Sequence, residues 1–241
     1  MTKTEVRIQQ KFTRFGILWV IISPLVQMVV LGFVFTFFIK NPVPNYHYYL
    51  LLGLLVWNYF SSSLSKSVSS IVVHRSLLKK TRFTYTIIPV SIVLSNFFNL
   101  VLVLIFLFVP VFFLGTLSAF SGIYIVAGLI TLLTITIGSS LFVSAFNVRH
   151  RGLGLIMQVL LTIWFYATPI VYTLDIIPET FRWLWVFNPI ILPISLLQNG
   201  YLGTELPYLW ISLANLFLIL LIMVIGINVF KMEAKRFDDW L

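Results

Sequence analysis

The apolar positions of this chain come in long runs, and the runs end at charges. No charge lies between Arg14 and Lys40, and none between Phe83 and Val148. A charge at the centre of a bilayer costs several kcal/mol, and a helical crossing takes about 20 mainly apolar residues. The pattern therefore predicts an all-α integral membrane chain with spans at 17–39, 48–73, 84–114, 122–147, 154–173 and 207–230. The run after Phe83 is too long for one crossing and suits two. Its break is best placed at Gly115 to Gly122, where Thr116, Ser118 and Ser121 dilute the apolar residues.

The connections differ in kind. Asn41-Pro42-Val43-Pro44-Asn45 reads as a turn, because its two prolines lack backbone donors. Residues 174–206 carry Asp175, Glu179, Arg182 and Glu205, punctuated by Pro178, Pro189, Pro193, Gly200 and Gly203. Their apolar pieces are about 10 residues long, too short to cross as helices. They are expected as interfacial or re-entrant helices. A crossing by residues 190–198 would instead make the span number odd and put the C-terminus outside; its prolines and short length weigh against that. At the start, Ile8, Phe12 and Phe15 share one helical face, and Arg7, Lys11 and Arg14 an adjacent one. This pattern suits an amphipathic helix over 1–16 in the membrane interface, or else ordinary basic flanking sequence.

Composition agrees: 60% of the 241 residues are hydrophobic and 10% charged, against roughly 25% charged in soluble domains. The first fifteen or so residues are polar and the run after them is too long for a signal-peptide core, so no cleavable signal is expected. The formal charge of +9 sits in short clusters between apolar runs, not in a patch interleaved with aromatics, which speaks against nucleic acid. Lys3, Arg7, Lys11, Arg14, Arg75, Lys79, Lys80, Arg82, Arg149 and Arg151 fall on the N-terminal side of the predicted spans. Lys40 and Arg182 fall on the other. The positive-inside rule then puts both termini in the cytoplasm. The mixed tail with Lys231, Lys235 and Arg236 adds a weak vote.

Candidate chemistry is sparse. There is no cysteine, and His47, His74 and His150 lie far apart outside the apolar runs, so no metal site is expected. No phosphate-cradling Walker sequence is present, no carboxylate lies within a predicted span, and no catalytic set can be assembled. If the chain drives transport, its energy comes from a partner. Lys66 is the one charge inside a predicted span, and it can snorkel toward the cytoplasmic end. Trp57-Asn58-Tyr59-Phe60, Trp164-Phe165-Tyr166 and Tyr172 are candidates either for interface belts and packing or for an aromatic-lined path. The serines of the second span, Ser62 and Ser63 among them, fit the same path or close helix packing.

Four stretches together resemble the type-2 ABC exporter permeases that serve O-antigen, capsule and teichoic acid export. They are Gly53-Leu54-Leu55-Val56-Trp57-Asn58-Tyr59-Phe60-Ser61-Ser62-Ser63-Leu64; Arg75 to Phe83 with Ile88-Pro89; Asn147-Val148-Arg149-His150-Arg151; and Trp164 to Tyr172 followed by Ile177-Pro178 and Asn188-Pro189. With Gly16-Ile17-Leu18-Trp19 and Ser23-Pro24 the match runs in order along nearly the whole chain. It departs at Thr84, where the family often has proline, and at Gly152, where it often has aspartate. The resemblance implies a multi-pass protein of the bacterial cytoplasmic (inner) membrane. It implies a homodimer with two copies of a separate ABC ATPase, which would hold Mg-ATP, so that this chain has no cofactor of its own. The implied cargo is an undecaprenyl-linked glycan. The implied ATPase-coupling loop is His74, Arg75, Leu78, Lys79, Lys80 and Arg82, with Arg149 and Arg151 in a second cytoplasmic loop. On the reading of the aromatics and serines as a path, Trp57, Tyr59, Phe60, Ser62, Ser63, Trp164, Tyr166 and Tyr172 would line the channel. Short helices between spans five and six, with Pro178, Asn188, Pro189 and Pro193, would gate its exit. A drug or small lipid is the alternative cargo, and a scaffold without transport the alternative class.

Overall fold

The computed structural model describes residues 16–38, 44–74, 84–150, 152–173 and 178–237. The described residues form seven α-helices: α1 Gly16–Phe38, α2 Tyr46–Val73, α3 Ile87–Phe112, α4 Ser121–Arg149, α5 Leu153–Ala167, α6 Ile191–Leu202 and α7 Leu209–Ala234. A 3₁₀ helix, Glu179–Phe187, precedes α6, and no strand occurs among the described residues.

The core is built around α2. Tyr49, Leu50, Leu51, Leu52, Leu54, Leu55, Val56 and Trp57 are all buried, so this half of α2 touches neighbours on every side. α4 joins the rest: it packs against α2, α3, α6 and α7. Small residues set how close these helices come. A Cβ on Gly226 of α7 would lie 2.1 Å from the Gly138 carbonyl oxygen of α4, and one on Gly138 would lie 2.6 Å from Met223 Cα. The two backbones are in contact, as small-residue crossings in membranes allow. Gly128 and Gly200 do the same for α4 and α6: a Cβ on either would come within 2.8 Å of Leu197 or 2.6 Å of Ile125.

The exterior is apolar over most of the bundle. Phe98, Ile105, Phe106 and Val109 of α3, Leu155, Ile156, Val159 and Ile163 of α5, and Leu213, Phe217, Leu220 and Val224 of α7 all face outward. An apolar crevice of ≈ 590 Å³ opens beside α5, walled by α4 and α7. α3, α4 and α7 are each long and apolar enough to cross a membrane. The 3₁₀ helix and α6, bent 106° to one another, make a fourth crossing if taken together. α2 and α5 fall short for visible reasons. α2 has 28 residues, but its second half is rich in serine. α5 has 15, about 22 Å of helix against a hydrocarbon core of about 30 Å.

α5 also ends earlier than the run 154–173 suggests. Thr168 is extended, at φ −101° and ψ 134°, because Pro169 disfavours helix in the residue before it. Residues 168–173 lie as irregular chain against α2: Tyr46 Oη donates to the Val171 carbonyl at 2.7 Å, and Ile170 packs on Gly53. Between α4 and α5, Gly152 takes φ +118°, a value open to glycine and strained for other residues.

A polar groove on an apolar bundle

The outward face of α2 breaks the apolar exterior. Asn58, Ser61, Ser62, Ser65, Lys66 and Ser69 recur at helical spacing and are exposed or half-buried. Ser63, Ser67 and Ser70 point inward and are buried. The polar stripe opens into a groove of ≈ 400 Å³ walled by three helices: Ser23 and Pro24 from α1, Ser61, Ser62, Ser65 and Lys66 from α2, Asn96 and Asn99 from α3. Two side-chain bridges shape its walls. Asn58 Nδ2 donates to Gln27 Oε1 at 2.9 Å, tying α2 to α1. Lys66 Nζ donates to Asn96 Oδ1 at 3.1 Å, and Asn96 Nδ2 donates to Ser63 Oγ at 3.0 Å, tying α2 to α3.

The structure redistributes the expected channel residues. Trp57, Tyr59, Phe60 and Ser63 are buried within the single chain, and Tyr59 also lines the groove. Trp57 and Phe60 pack on Trp164 of α5 with ring centroids 6.3 and 5.4 Å apart. Ser62 reaches the groove. Tyr166 is 67% exposed on the far side of α5, and half-buried Tyr172 donates to its carbonyl oxygen at 3.2 Å. Asn58, Asn96, Asn99 and Lys66 line the groove and were not singled out as lining from the sequence. Asn96 and Asn99 are polar residues in an otherwise apolar stretch, which is the signal that could have found them, whereas Lys66 lies in the serine-rich half of α2.

The expected gate residues divide in the same way. Pro178 is exposed where the 3₁₀ helix begins, and Pro193 is buried in the first turn of α6. Asn188 and Pro189 are buried between them, and Asn188 is a joint. It accepts from Trp164 Nε1 at 2.9 Å and donates to Thr168 Oγ1 at 3.0 Å and to the Ala167 carbonyl at 3.4 Å. It thereby satisfies carbonyl and hydroxyl groups left over where α5 ends.

At the other end of the bundle, Ile71, Ile88, Ile92, Leu141, Ala145, Val148, Phe230 and Phe237 form one cluster. It gathers the ends of α2, α4 and α7 and the start of α3. His74 closes α2 there, its Nδ1 2.8 Å from the Ser70 carbonyl, and Arg149 ends α4. Arg75, Leu78, Lys79, Lys80, Arg82 and Arg151, and Arg7, Lys11, Phe12 and Arg14 of the expected interfacial helix, lie outside the described residues.

The ABC-2 type transporter model matches residues 1–202. Two O-antigen export system permease proteins RfbA of Klebsiella pneumoniae are 29% and 30% identical over 244 residues, covering 100% of this chain and 93% of theirs. A protein of the same name from Myxococcus xanthus is 31% identical over 209 residues, 86% of this chain and 80% of its own. An all-helical bundle with an apolar exterior, matched along its length in this way, belongs to the ABC-2 type transporter family and is its membrane-embedded transport subunit.

Proposed function

We propose that this chain is the transmembrane subunit of an ATP-driven exporter that moves a lipid-linked polysaccharide of the O-antigen, capsule or teichoic acid type across the bacterial cytoplasmic membrane. The relatives' names favour this cargo over a drug or small lipid. In this reading the chain works as a homodimer with two ABC ATPase subunits, which bind Mg-ATP. α1 to α5 and α7 supply six spans, with α5 completed by residues 168–173. The 3₁₀ helix and α6 sit at the extracytoplasmic exit, and both termini are cytoplasmic. The segment after His74 docks the ATPase, with Arg149 and Arg151 beside it.

The carrying observation is the polar outward stripe of α2, running Asn58, Ser61, Ser62, Ser65, Lys66 and Ser69. Hydroxyls, carboxamides and an ammonium facing hydrocarbon would be costly. The stripe therefore faces water or hydroxyl-rich cargo, as expected of a path closed by a second copy. Replacing Ser62 and Ser65 together by Leu tests this. Surface glycan should fall on the order of tenfold, as an apolar constriction dewets the path, while the amount of chain in the membrane and ATPase co-purification stay unchanged. Undiminished export by that variant rejects the path.

A further inference from the structure

A second cavity lies at the end of the bundle away from the Ile71–Phe230–Phe237 cluster. Its volume of ≈ 460 Å³ falls within the range of about 300–1,000 Å³ usual for small-molecule sites. The 3₁₀ helix contributes Arg182, α6 contributes Ser195 and Gln198, and the segment leading into α7 contributes Glu205 and Tyr208; Thr173 completes the polar wall. None of its lining residues belongs to the groove of α1, α2 and α3.

Two of these residues hold buried donors with no acceptor among the described residues: Thr173 Oγ1 and Arg182 Nε. Native interiors match nearly all such groups, so two at one cavity point to an acceptor from outside the chain. Acceptors stand beside them. Gln198 donates its amide to the Tyr49 carbonyl at 3.1 Å, which fixes its oxygen as the acceptor. Glu205 is exposed at the rim, and the Ser195 hydroxyl can serve in either sense. Charge is balanced too. Arg182 is paired with Glu179 at 3.1 Å, and Glu205 is a second carboxylate. An anion would meet the carboxylates and a cation the guanidinium. A neutral ligand with several hydroxyls meets neither penalty.

Tyr208 adds an apolar face. Its hydroxyl accepts from Arg182 Nη1 at 2.5 Å, and the guanidinium lies 5.5 Å from its ring centroid. The residue is nevertheless 51% exposed. The ring is held in place with surface to spare, and such a surface suits the C–H face of a sugar ring.

We infer that this cavity binds a neutral sugar unit of the glycan as it leaves the membrane. Tyr208 packs on the sugar ring, Thr173 and Arg182 donate to its oxygens, and Glu205 accepts from its hydroxyls. The inference rests on the export reading for the source of the sugar. It adds a place, within one chain, where sugar identity is read.

The test uses the chain with its ATPase in phosphatidylcholine nanodiscs. The probe is short, lipid-free fragments of the surface glycan from the cell that carries this exporter, followed by ligand-observed NMR. The wild type should bind them saturably. Thr173→Val keeps the shape and removes the hydroxyl, so binding should weaken about fivefold, the size of one neutral hydrogen bond. That hydroxyl has no partner in the chain, so the melting temperature should not fall. Tyr208→Phe keeps the ring and should stay within about threefold, whereas Tyr208→Leu should weaken binding about tenfold. A further arm removes no contact to the sugar. Leu206 lines the cavity and is 37% exposed, and maleimide labelling of Leu206→Cys should slow about threefold or more in saturating fragments. Labelling of Lys235→Cys should not change. Absence of saturable binding, unprotected Leu206→Cys, or equal binding by the wild type, Thr173→Val and Tyr208→Leu overturns the site. Glycan export by Thr173→Val separates this site from the reading beneath it. Weaker binding with export intact supports the site and sets it beside the path. Unchanged binding with export lost rejects the site and leaves the path standing. A cell that still exports its glycan after deletion of the chain rejects the export reading instead.

Discussion

Asn188 carries more of the fold than its position in a connecting segment suggests. One side chain joins Trp164, Ala167 and Thr168, so it holds the end of α5 against the helices that follow. Asn188→Ala removes every one of these bonds and leaves a buried indole N–H and a carbonyl unmatched. The expected cost is about 1–3 kcal/mol, read as a lower melting temperature of the detergent-purified protein. Trp164→Phe keeps a ring against Trp57 and Phe60 and loses one bond, so it should cost less. Both residues stand out in the sequence, but their pairing does not, because 24 positions separate them and no periodicity reports a contact between segments. The serines of α2 were ambiguous for a related reason. Serine occupies both faces of that helix, so the pattern could not separate Ser62, at the groove, from Ser63, in the core. Only the partner helices decide which face is which.

At the scale of elements, the helices that could be read from the sequence are those whose apolar runs end at charges or turns. α3 falls within such a run, and α4 and α7 cover most of theirs and continue past the closing charge. The helical part of the fifth run stops at Ala167 although the run stays largely apolar to Tyr172, and Pro169 is the residue that stops it. How the helices cross was not legible, since glycines are common and few are contacts. The structure separates them. Gly226→Ala would set a methyl against the Gly138 carbonyl and force α7 off α4. A loss of about 1–3 kcal/mol or more is expected from such overpacking, measured by thermal or detergent-induced unfolding. Gly122→Ala is the matched control. No atom lies within 4 Å of its added methyl, so it should be neutral or stabilise α4 by up to about 1 kcal/mol, as alanine favours helix over glycine.

For the molecule as a whole, the sidedness read from the charges can be joined to geometry. The basic connections after His74 and after Arg149 leave helices whose ends meet in the Ile71–Phe230–Phe237 cluster. Residues 168–173, the 3₁₀ helix and α6 lie at the opposite end, against the start of α2. α4 links the two ends with 29 residues, about 43 Å of helix and enough to cross a bilayer core of about 30 Å. One end of the bundle should therefore meet the cytoplasm and the other the outside, the basic end being cytoplasmic. The chain has no cysteine, so any introduced thiol is a unique reporter. Glu205, His150 and Lys235 are all exposed in the structure. A membrane-impermeant maleimide applied to intact spheroplasts should label Glu205→Cys and spare His150→Cys and Lys235→Cys until the membrane is permeabilised. The opposite pattern would invert the chain and move the ATPase-docking end outside. Labelling of all three from one side would mean that α4 and α7 do not cross, because His150 and Glu205 lie beyond opposite ends of the same bundle.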